Sequence, residues 1–442
     1  MSNSFIIKDA SYIYTVDGSD SIVRDATIVV RDGIIEAINP VNLPSDIADV
    51  YDGSDRLIAP GLINTHSHLA MALLRGWAES VNLDGFLELV WAAEGAIMDK
   101  QTSALGTELG AAEALKGGTT TVLDMYLNPD ATHAAAVKTG LRHVAGPIFF
   151  DFPGLDGMQW EERIAFGRRW PSILKEIGGP EVPTYFMPHS TYTDSPEHLR
   201  EVADLAQELD ARIHLHVSET ENENHTVNER YSKSPTQVCE DSGILDRPTV
   251  FGHGVHLSPK DIDIARSHNT AVAHCPSSNL KLGSGVADLL NYQSAGLTVG
   301  LGTDGCSSSN DLDMWVVMRV GAHMVSLKHS PADVHPAQII RAATIDGARA
   351  IGIDHLVGSI EVGKRADLIA IDLTALHLNP IHNIAALLVF AAGRSDVTDV
   401  WVDGKRVVKD RNLTTINEKE LRHRVSERVK ALEPLKGVKS AI

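Results

Sequence analysis

The stretch Leu62-Ile63-Asn64-Thr65-His66-Ser67-His68 decides the fold of this chain, because it ends a short apolar segment with two histidines in a His-x-His spacing. Alternate residues of a β-strand point to the same side, so His66 and His68 face one point together. Two imidazoles are half of the ligand set that a divalent metal usually takes in proteins. We therefore expect a buried strand that ends at a metal site.

Three further segments place histidine or acidic residues directly after short apolar runs. They are His216-Val217-Ser218-Glu219, Gly252-His253-Gly254 and Gly302-Thr303-Asp304-Gly305. Three histidines and one aspartate would hold a single metal and leave a position open for water, as a catalytic site requires. His214 lies on the same strand face as His216 and is the alternative ligand there. His256 is the alternative to His253.

The middle of the chain, about 59–362, alternates strand and helix patterns. Eight segments predict strands, and their cores are apolar and largely β-branched, as in strands buried on both faces: 61–66, 119–125, 142–150, 184–189, 212–217, 249–253, 271–275 and 298–303. Helical patterns cover 101–116, 196–209 and 259–268. Serine followed by proline predicts a helix start at Ser195 and at Ser258. Eight such units predict an α/β fold of the (β/α)8 TIM type, which places its chemistry at the C-terminal strand ends.

Both ends of the chain predict strands as well. β-Branched runs at 22–30 and 34–38 flank the turn signal Asp32-Gly33, and runs at 366–371 and 397–408 accompany a second turn at Asp403-Gly404. We expect residues 1–58 and 363–442 to form one small β-sandwich, with a helical tail at 418–435. The barrel would occupy residues 59–362.

Composition limits the class of protein and its partners. The 442 residues are 43% hydrophobic and 22% charged, which is typical of a soluble globular enzyme. The net charge of −19 argues against nucleic acid and anionic membranes as partners. The apolar run 384–393 is too short to span a bilayer. The first five residues lack the pattern of a signal peptide, and the three cysteines form no CxxC pair, so we expect a cytoplasmic protein. A homo-oligomer is compatible with the sequence, which leaves the number of subunits open.

The motifs around these residues are similar to those of the amidohydrolase superfamily. The resemblance covers nearly the whole chain, in order, and is closest to the branch of methylthioadenosine/S-adenosylhomocysteine deaminases and s-triazine hydrolases. It is carried by residues 60–68 with Leu74-Arg75-Gly76, by His216-Val217-Ser218-Glu219-Thr220, by 274–282, by Gly302-Thr303-Asp304-Gly305 and by 358–368.

The resemblance implies a metal site formed by His66, His68, His216 and Asp304. It favours His216 over His214, because the family pattern His-x-x-Glu is completed by Glu219. Many relatives hold two metals bridged by a modified lysine after strand four, but this strand ends in Met187-Pro188-His189. We therefore expect one divalent ion, with zinc favoured and iron or manganese compatible with the same ligands.

The resemblance also implies the catalytic roles. A bound metal lowers the pKa of water to about 7, and Asp304 would take the proton of that water. Glu219 would protonate a ring nitrogen of an aromatic amidine and then pass a proton to the departing ammonia. His253 would hydrogen-bond the attacking or developing oxygen. The pair of His216 and Glu219 favours deamination over amide or ester hydrolysis.

Three residues are predicted to contact the substrate. Glu94 matches an acid that binds ribose hydroxyls, with a solvated helix acid as the alternative. His189 matches a substrate contact, with a metal ligand as its alternative. Ser308 matches a serine of the substrate site, with a turn residue as its alternative.

One stretch departs from the described S-adenosylhomocysteine deaminases, which carry arginines after strand three. Residues 146–155 hold no arginine here, and Arg163, Arg168 and Arg169 follow further along. The acid usual in the motif at 274–282 is replaced by Ser277. Both departures disfavour a substrate with a carboxylate tail.

The sequence therefore predicts a metal-dependent hydrolytic deaminase of an aminated purine nucleoside or related heterocycle. Methylthioadenosine or adenosine is favoured over S-adenosylhomocysteine. The alternative is an s-triazine hydrolase that releases chloride or an amine from the same metal site. A non-enzymatic scaffold is disfavoured because all four ligands are present.

Overall fold

The structure is a computed structural model that describes residues 3–435. Met1 and Ser2, which belong to the segment considered for a signal peptide, lie outside the described residues. Residues 436–442, the end of the predicted C-terminal segment, also lie outside them.

Strands make up both the barrel and the terminal sheet. The described residues form β1 (Phe5–Tyr14), β2 (Ile22–Arg31), β3 (Ile34–Ile38), β4 (Val50–Asp52), β5 (Arg56–Pro60), β6 (Leu62–Ser67), β7 (Thr119–Asp124), β8 (Arg142–Ala145), β9 (Ile148–Phe149), β10 (Tyr185–Pro188), β11 (Arg212–Val217), β12 (Thr249–His253), β13 (Ala271–His274), β14 (Val299–Leu301), β15 (Leu368–Asp372), β16 (Val397–Val402), β17 (Lys405–Lys409) and β18 (Asn412–Leu413).

Helices follow most strands of the middle part. They are α1 (Leu83–Ile97), α2 (Lys100–Lys116), α3 (Pro129–Thr139), α4 (Trp160–Ile177), α5 (Pro196–Glu208), α6 (Glu221–Tyr231), α7 (Pro235–Asp241), α8 (Pro259–Ser267), α9 (Pro276–Lys281), α10 (Leu289–Ser294), α11 (Met314–Lys328), α12 (Pro336–Ala342), α13 (Ile345–Ile351), α14 (Ile384–Phe390) and α15 (Glu418–Val429). Short 3-10 helices cover Leu69–Leu74, Ile244–Asp246, Pro331–Asp333, Leu376–Leu378 and Lys430–Leu435.

The eight predicted barrel strands are all present, and the predicted fold class is confirmed. Parallel pairing runs through β6-β7-β8 and through β9 to β14. The third predicted strand is divided at Gly146 and Pro147, since proline has no N–H to donate to a neighbouring strand. Gly146 lies close to the next strand, because a Cβ atom there would lie 2.2 Å from the carbonyl oxygen of Tyr185. The last strand lies beside the first, since the Asp304 N–H donates to the carbonyl oxygen of His66 at 3.0 Å.

The helix starts agree with the serine–proline signals. The Ser195 side chain accepts the N–H of His198, and the Ser258 side chain accepts the N–H of Asp261, with proline next in each case. These caps satisfy backbone donors that a helix start would otherwise leave open. The tail predicted as helical is α15 followed by a 3-10 turn.

The two chain ends form one sheet in the order β18-β17-β16-β15-β5-β1-β2-β3, with β4 alongside β1. Both predicted turns join antiparallel neighbours, β2 with β3 and β16 with β17. The Phe5 ring stacks on Trp401 with centroids 5.5 Å apart, although β1 and β16 are not neighbours in the sheet. The sheet therefore folds over itself into the facing layers of a sandwich.

A buried ion pair joins this sandwich to the barrel. Arg142 on β8 donates from Nε to Asp367 Oδ2 at 3.1 Å and from Nη2 to Asp367 Oδ1 at 3.0 Å. Both side chains are buried, and the Asp403 N–H also donates to Asp367 at 2.8 Å. Such an arrangement satisfies most of the polar atoms that burial would leave without water.

The apolar run at 384–393 is the short helix α14 and the turn after it. Within residues 3–435, none of the helices has the length and apolar character that crossing a bilayer would need.

Candidate functional site

The four predicted metal ligands converge at the C-terminal ends of β6, β11 and β14. His68 Nε2 lies 3.2 Å from Asp304 Oδ1 and 3.4 Å from His216 Nε2. His66 Nε2 lies 3.5 Å from Asp304 Oδ1. Ring nitrogens and a carboxylate oxygen at these separations can surround one small cation.

The outer ring nitrogens of these histidines have partners that fix their tautomers. His68 Nδ1 donates to the carbonyl oxygen of Met125 at 2.6 Å, and His216 Nδ1 donates to that of His189 at 2.9 Å. Each Nε2 is therefore left with its lone pair directed into the site.

His214 supports His66 from the outside of the site. The distance from His66 Nδ1 to His214 Nε2 is 2.7 Å, and His214 Nδ1 lies 2.9 Å from the carbonyl oxygen of Val250. Since His214 donates to Val250, its Nε2 accepts the hydrogen of His66. The His66 Nε2 atom is buried and has no hydrogen-bond partner among the described residues. The four predicted ligands are therefore suited to bind a metal ion. His214 holds one of them, His66, by a hydrogen bond from outside the site.

Asp304 is held by several donors at once. Its Oδ2 accepts from the hydroxyls of Ser278 and Ser308, both at 2.6 Å, and its Oδ1 accepts the N–H of Gly305 at 2.7 Å. Burial by itself would raise the pKa of Asp304, but the neighbouring His66 and His68 side chains hold it well below the usual value. The carboxylate is therefore ionised and ready to bind a cation.

Glu219 and His253 lie side by side next to the ligands. Glu219 Oε2 is 3.7 Å from His253 Nε2, and His253 Nδ1 is 2.9 Å from Asn279 Oδ1. Burial raises the pKa of Glu219 above the usual value for a glutamate. A carboxyl group that retains its proton nearer neutral pH is suited to general acid catalysis.

Backbone strain marks the same strand ends. Ser218, His253 and Asp304 have φ angles of +52°, +68° and +60°, in the left-handed region that residues with side chains rarely adopt. They directly follow or end β11, β12 and the extended segment after β14. Conformations of this kind persist where the surrounding structure imposes them, and they cluster at active sites.

A cleft with an empty volume of about 1100 Å³ opens over these groups. Glu94 on α1 and His189 after β10 both line it. Glu94 is buried and accepts the hydroxyl of Tyr126, and burial raises its pKa to about 7. It is therefore a cleft residue and not the solvated helix acid that was its alternative.

Ser308 lies directly beside Asp304. Its hydroxyl donates to Asp304 Oδ2 at 2.6 Å and lies 3.0 Å from the carbonyl oxygen of Gly305. Ser308 is not among the side chains that line the cleft, and its contact with a substrate stays a prediction.

The outer wall of the cleft is apolar. Phe150, Phe152 and Leu155 line it from the loop after β9, and Trp91 lines it from α1. No arginine or lysine is among the lining side chains within residues 3–435. Arg163 is buried and paired with Asp156, with Nη2 2.7 Å from Oδ1.

Several contributing residues were not singled out from the sequence. Ser278 and Asn279 lie inside the motif at 274–282, which carries the family resemblance. Their place in this motif could have marked them as partners of Asp304 and His253. Tyr126 directly follows a predicted strand end, which is where barrel enzymes keep their functional groups. Glu223, whose carboxylate accepts the N–H groups of Ser218 and Glu219, had no such signal in the sequence.

Comparison with known proteins identifies the family. The model of the amidohydrolase family matches residues 57–407. The chain belongs to the amidohydrolase family. This amidohydrolase is 37% identical over 419 residues to a 5-methylthioadenosine/S-adenosylhomocysteine deaminase of Haloarcula marismortui, covering 93% of this chain and 95% of the relative.

Solved structures agree with that assignment. An adenosine deaminase of Xanthomonas campestris with bound zinc has a TM-score of 0.93 and 33% identity, covering 97% of this amidohydrolase and 98% of that chain. An atrazine chlorohydrolase of Arthrobacter aurescens complexed with zinc has a TM-score of 0.87 at 23% identity, with 96% and 100% covered. At that identity, the second likeness shows the shared fold alone.

Proposed function

We propose that this amidohydrolase removes the exocyclic amine of an aminated purine nucleoside or related heterocycle by hydrolysis and releases ammonia. The observation that carries this proposal is the 3.7 Å separation of Glu219 and His253 beside the four ligands, in a cleft that also holds Glu94. Relatives of the same length are named as deaminases of adenosine and its thioether derivatives. The prediction of a hydrolase that acts on C–N bonds of cyclic amidines is confirmed by these relatives.

His66, His68, His216 and Asp304 would hold one divalent metal, with zinc the favoured ion. When bound, such a metal lowers the pKa of water so that a nucleophile is available near neutral pH. Asp304 accepts the proton of the attacking water. Two serine hydroxyls orient its carboxylate for this task.

Glu219 works on the other side of the reacting carbon. Its carboxyl donates a proton to the ring nitrogen next to the amine-bearing carbon, so that the ring carries the electron pair displaced by attack. The Glu219 carboxylate then takes the proton of the newly added hydroxyl group and passes it to the amine, which leaves as ammonia while the carbonyl forms. Loss of the proton held by Asp304 and uptake of one by Glu219 restore the starting state. His253 hydrogen-bonds the attacking hydroxide or the developing oxygen, and its Nδ1 donates to Asn279 Oδ1, which holds the ring in place.

The cleft supports a nucleoside with an uncharged substituent. An ionised Glu94 can accept two hydrogen bonds from the vicinal hydroxyls of a ribose. His189, whose ring also lines the cleft, would contact the base. The apolar wall at Phe150, Phe152 and Leu155 would bury a methylthio group but offers no partner to a carboxylate. Methylthioadenosine or adenosine is therefore preferred over S-adenosylhomocysteine.

An s-triazine hydrolase remains the second candidate, because the apolar wall also suits alkyl substituents on a triazine ring. Glu94 disfavours it, since a triazine ring carries no vicinal hydroxyls to donate to this buried carboxylate. Ammonia and chloride release can be measured side by side with adenosine, methylthioadenosine, an aminotriazine and a chlorotriazine. Faster chloride release than ammonia release from the nucleosides would reject the deaminase.

The cellular setting completes the proposal. We infer a cytoplasmic enzyme, supported by three buried cysteines that form no disulfide. The acidic surface supports a small-molecule substrate over nucleic acid.

The sheet built from both chain ends supports the division into residues 1–58, 59–362 and 363–442. A homo-oligomer would be detected by light scattering.

A further inference from the structure

The Glu223 carboxylate binds two consecutive backbone amides in the loop that carries Glu219. Its Oε1 accepts the Ser218 N–H at 2.9 Å, and its Oε2 accepts the Glu219 N–H at 2.7 Å. Glu223 is buried, so this side chain, and not bulk solvent, satisfies both donors. Hydrogen bonds to a charged acceptor are stronger than those between neutral groups.

The contact of Glu223 with the Ser218 and Glu219 amides is unusual for a glutamate at the start of a helix, here α6. Thr220 caps the helix by accepting the Glu223 N–H at 3.0 Å, which makes Glu223 the third residue of the helix. In a capping box, a glutamate at this position returns to the backbone amide of the capping residue itself. Here it extends beyond Thr220 to the two residues before it. Helix capping therefore does not account for the contact.

The two amides belong to a strained part of the loop. Ser218 has a φ of +52°, which is disfavoured for a residue with a side chain. Its carbonyl oxygen accepts the His256 N–H at 2.9 Å, and the Val217 carbonyl oxygen accepts the Gly254 N–H at 3.1 Å. The loop that carries Glu219 is thus bound on one side to the loop that carries His253 and on the other to Glu223.

We propose that Glu223 is a positioning residue, which holds the backbone at Ser218 and Glu219 so that the Glu219 carboxyl stays beside His253. This inference rests on the proposed role of Glu219 in the deamination. Glu223 is not among the side chains that line the cleft, and its carboxylate binds the backbone of Ser218 and Glu219. Its removal should therefore impair proton transfer while leaving substrate binding largely intact.

Glu223→Gln tests this directly, because the amide keeps the size of the side chain but offers only one oxygen acceptor. Small misplacements of a reacting group can cost about 10²-fold in rate. We expect kcat for methylthioadenosine to fall by about tenfold to 10²-fold, with KM changed less than about threefold and the bound metal retained. Glu221→Gln is the matched control, since Glu221 is exposed in the first turn of the same helix and makes the same change of charge. It should keep the activity of the parent.

Three outcomes would overturn the proposal. They are a kcat of Glu223→Gln equal to that of Glu221→Gln, a loss of activity that follows loss of metal, and a rise in KM that accounts for the whole effect. If Glu223→Gln does not fold, hydrogen exchange in the parent enzyme decides instead. The amides of Ser218 and Glu219 should then exchange as slowly as those of β11, and fast exchange would reject the role.

Failure of the proposed function gives a different result. A parent enzyme that releases no ammonia from any nucleoside, or a Glu219→Gln variant with normal turnover, rejects the deamination or the role of Glu219. Neither result changes the exchange rates of the two amides, which report the contact with Glu223 alone.

Discussion

The Arg163 guanidinium lies over the ring of Phe150, with Cζ 5.1 Å from the ring centroid. Phe150 lines the cleft, whereas Arg163 does not and is bound by Asp156 through two hydrogen bonds. The first arginine after the apolar wall therefore lies behind an aromatic ring and does not line the cleft. Arg168 pairs with Glu208, and Arg169 lies over Phe166, so neither replaces it.

This separation predicts the substrate preference. A carboxylate that enters the cleft loses water and finds no cation, which is costly. We expect kcat/KM for methylthioadenosine to exceed that for S-adenosylhomocysteine by about tenfold or more. Steady-state ammonia release with both compounds measures the ratio. A clear preference for S-adenosylhomocysteine would contradict the apolar-wall interpretation.

The ligand cluster predicts one divalent ion per chain. His66→Ala should remove most of the bound metal, because it deletes a buried nitrogen that has no hydrogen-bond partner within residues 3–435. His225→Ala is the control, since His225 lies on α6 with 67% of its side chain exposed. Elemental analysis of purified protein provides the count. Two ions per chain, or an unchanged metal content in His66→Ala, would contradict the assignment of these residues as the ligands of a single ion.

Glu219→Gln should abolish most activity without loss of metal. The amide keeps the shape of the side chain but can no longer pass a proton between ring nitrogen and ammonia. General acid–base groups contribute about 10²–10⁴-fold, so turnover should drop by that order. Parallel measurements of kcat and metal content decide the matter. Normal turnover in this variant would require another acid.

Glu94 should give a pH dependence to nucleoside binding. Burial raises the pKa of Glu94 to about 7, and its ionised form is the one that accepts both ribose hydroxyls. KM for adenosine should therefore be lowest above about pH 7 and rise as the pH falls below it. Glu94→Gln should raise that KM by about tenfold and remove this dependence, while KM for adenine, which lacks ribose, stays unchanged. An equal effect on both compounds would argue against ribose recognition.

The Arg142–Asp367 pair should control stability and not catalysis. Asp367→Ala leaves the buried guanidinium with the carbonyl oxygen of Glu181 at 2.8 Å and the Asp403 carboxylate at 3.8 Å, neither of which replaces the two hydrogen bonds to Asp367. Loss of one partner of a buried pair costs about 3–5 kcal/mol, so we expect a lower unfolding midpoint in urea with kcat retained below it. Asp46→Ala removes the acid of an exposed pair with Arg31 and should leave the midpoint unchanged. Equal midpoints for the two variants would contradict this expectation.

The sequence by itself determined the strands, the turns and the ligand candidates. The strand segments 212–217 and 249–253 and the turns at Asp32-Gly33 and Asp403-Gly404 lie where their patterns predicted them. These features are local, because the alternation of buried strands and the backbone freedom of glycine act over a few residues. The same locality explains why His66 and His68 could be assigned to one face.

Only the tertiary structure decided which residues of the site are hydrogen-bond partners of one another. His214 and His216 are equivalent by alternation, and they differ because Nε2 of His214 meets His66, 148 positions away in the sequence. Contacts of the same kind placed Glu94 against Tyr126, 32 positions away, and Ser278 against Asp304, 26 positions away. Partner choice depends on how separate strands and loops pack in three dimensions, which no short-range pattern in the chain records.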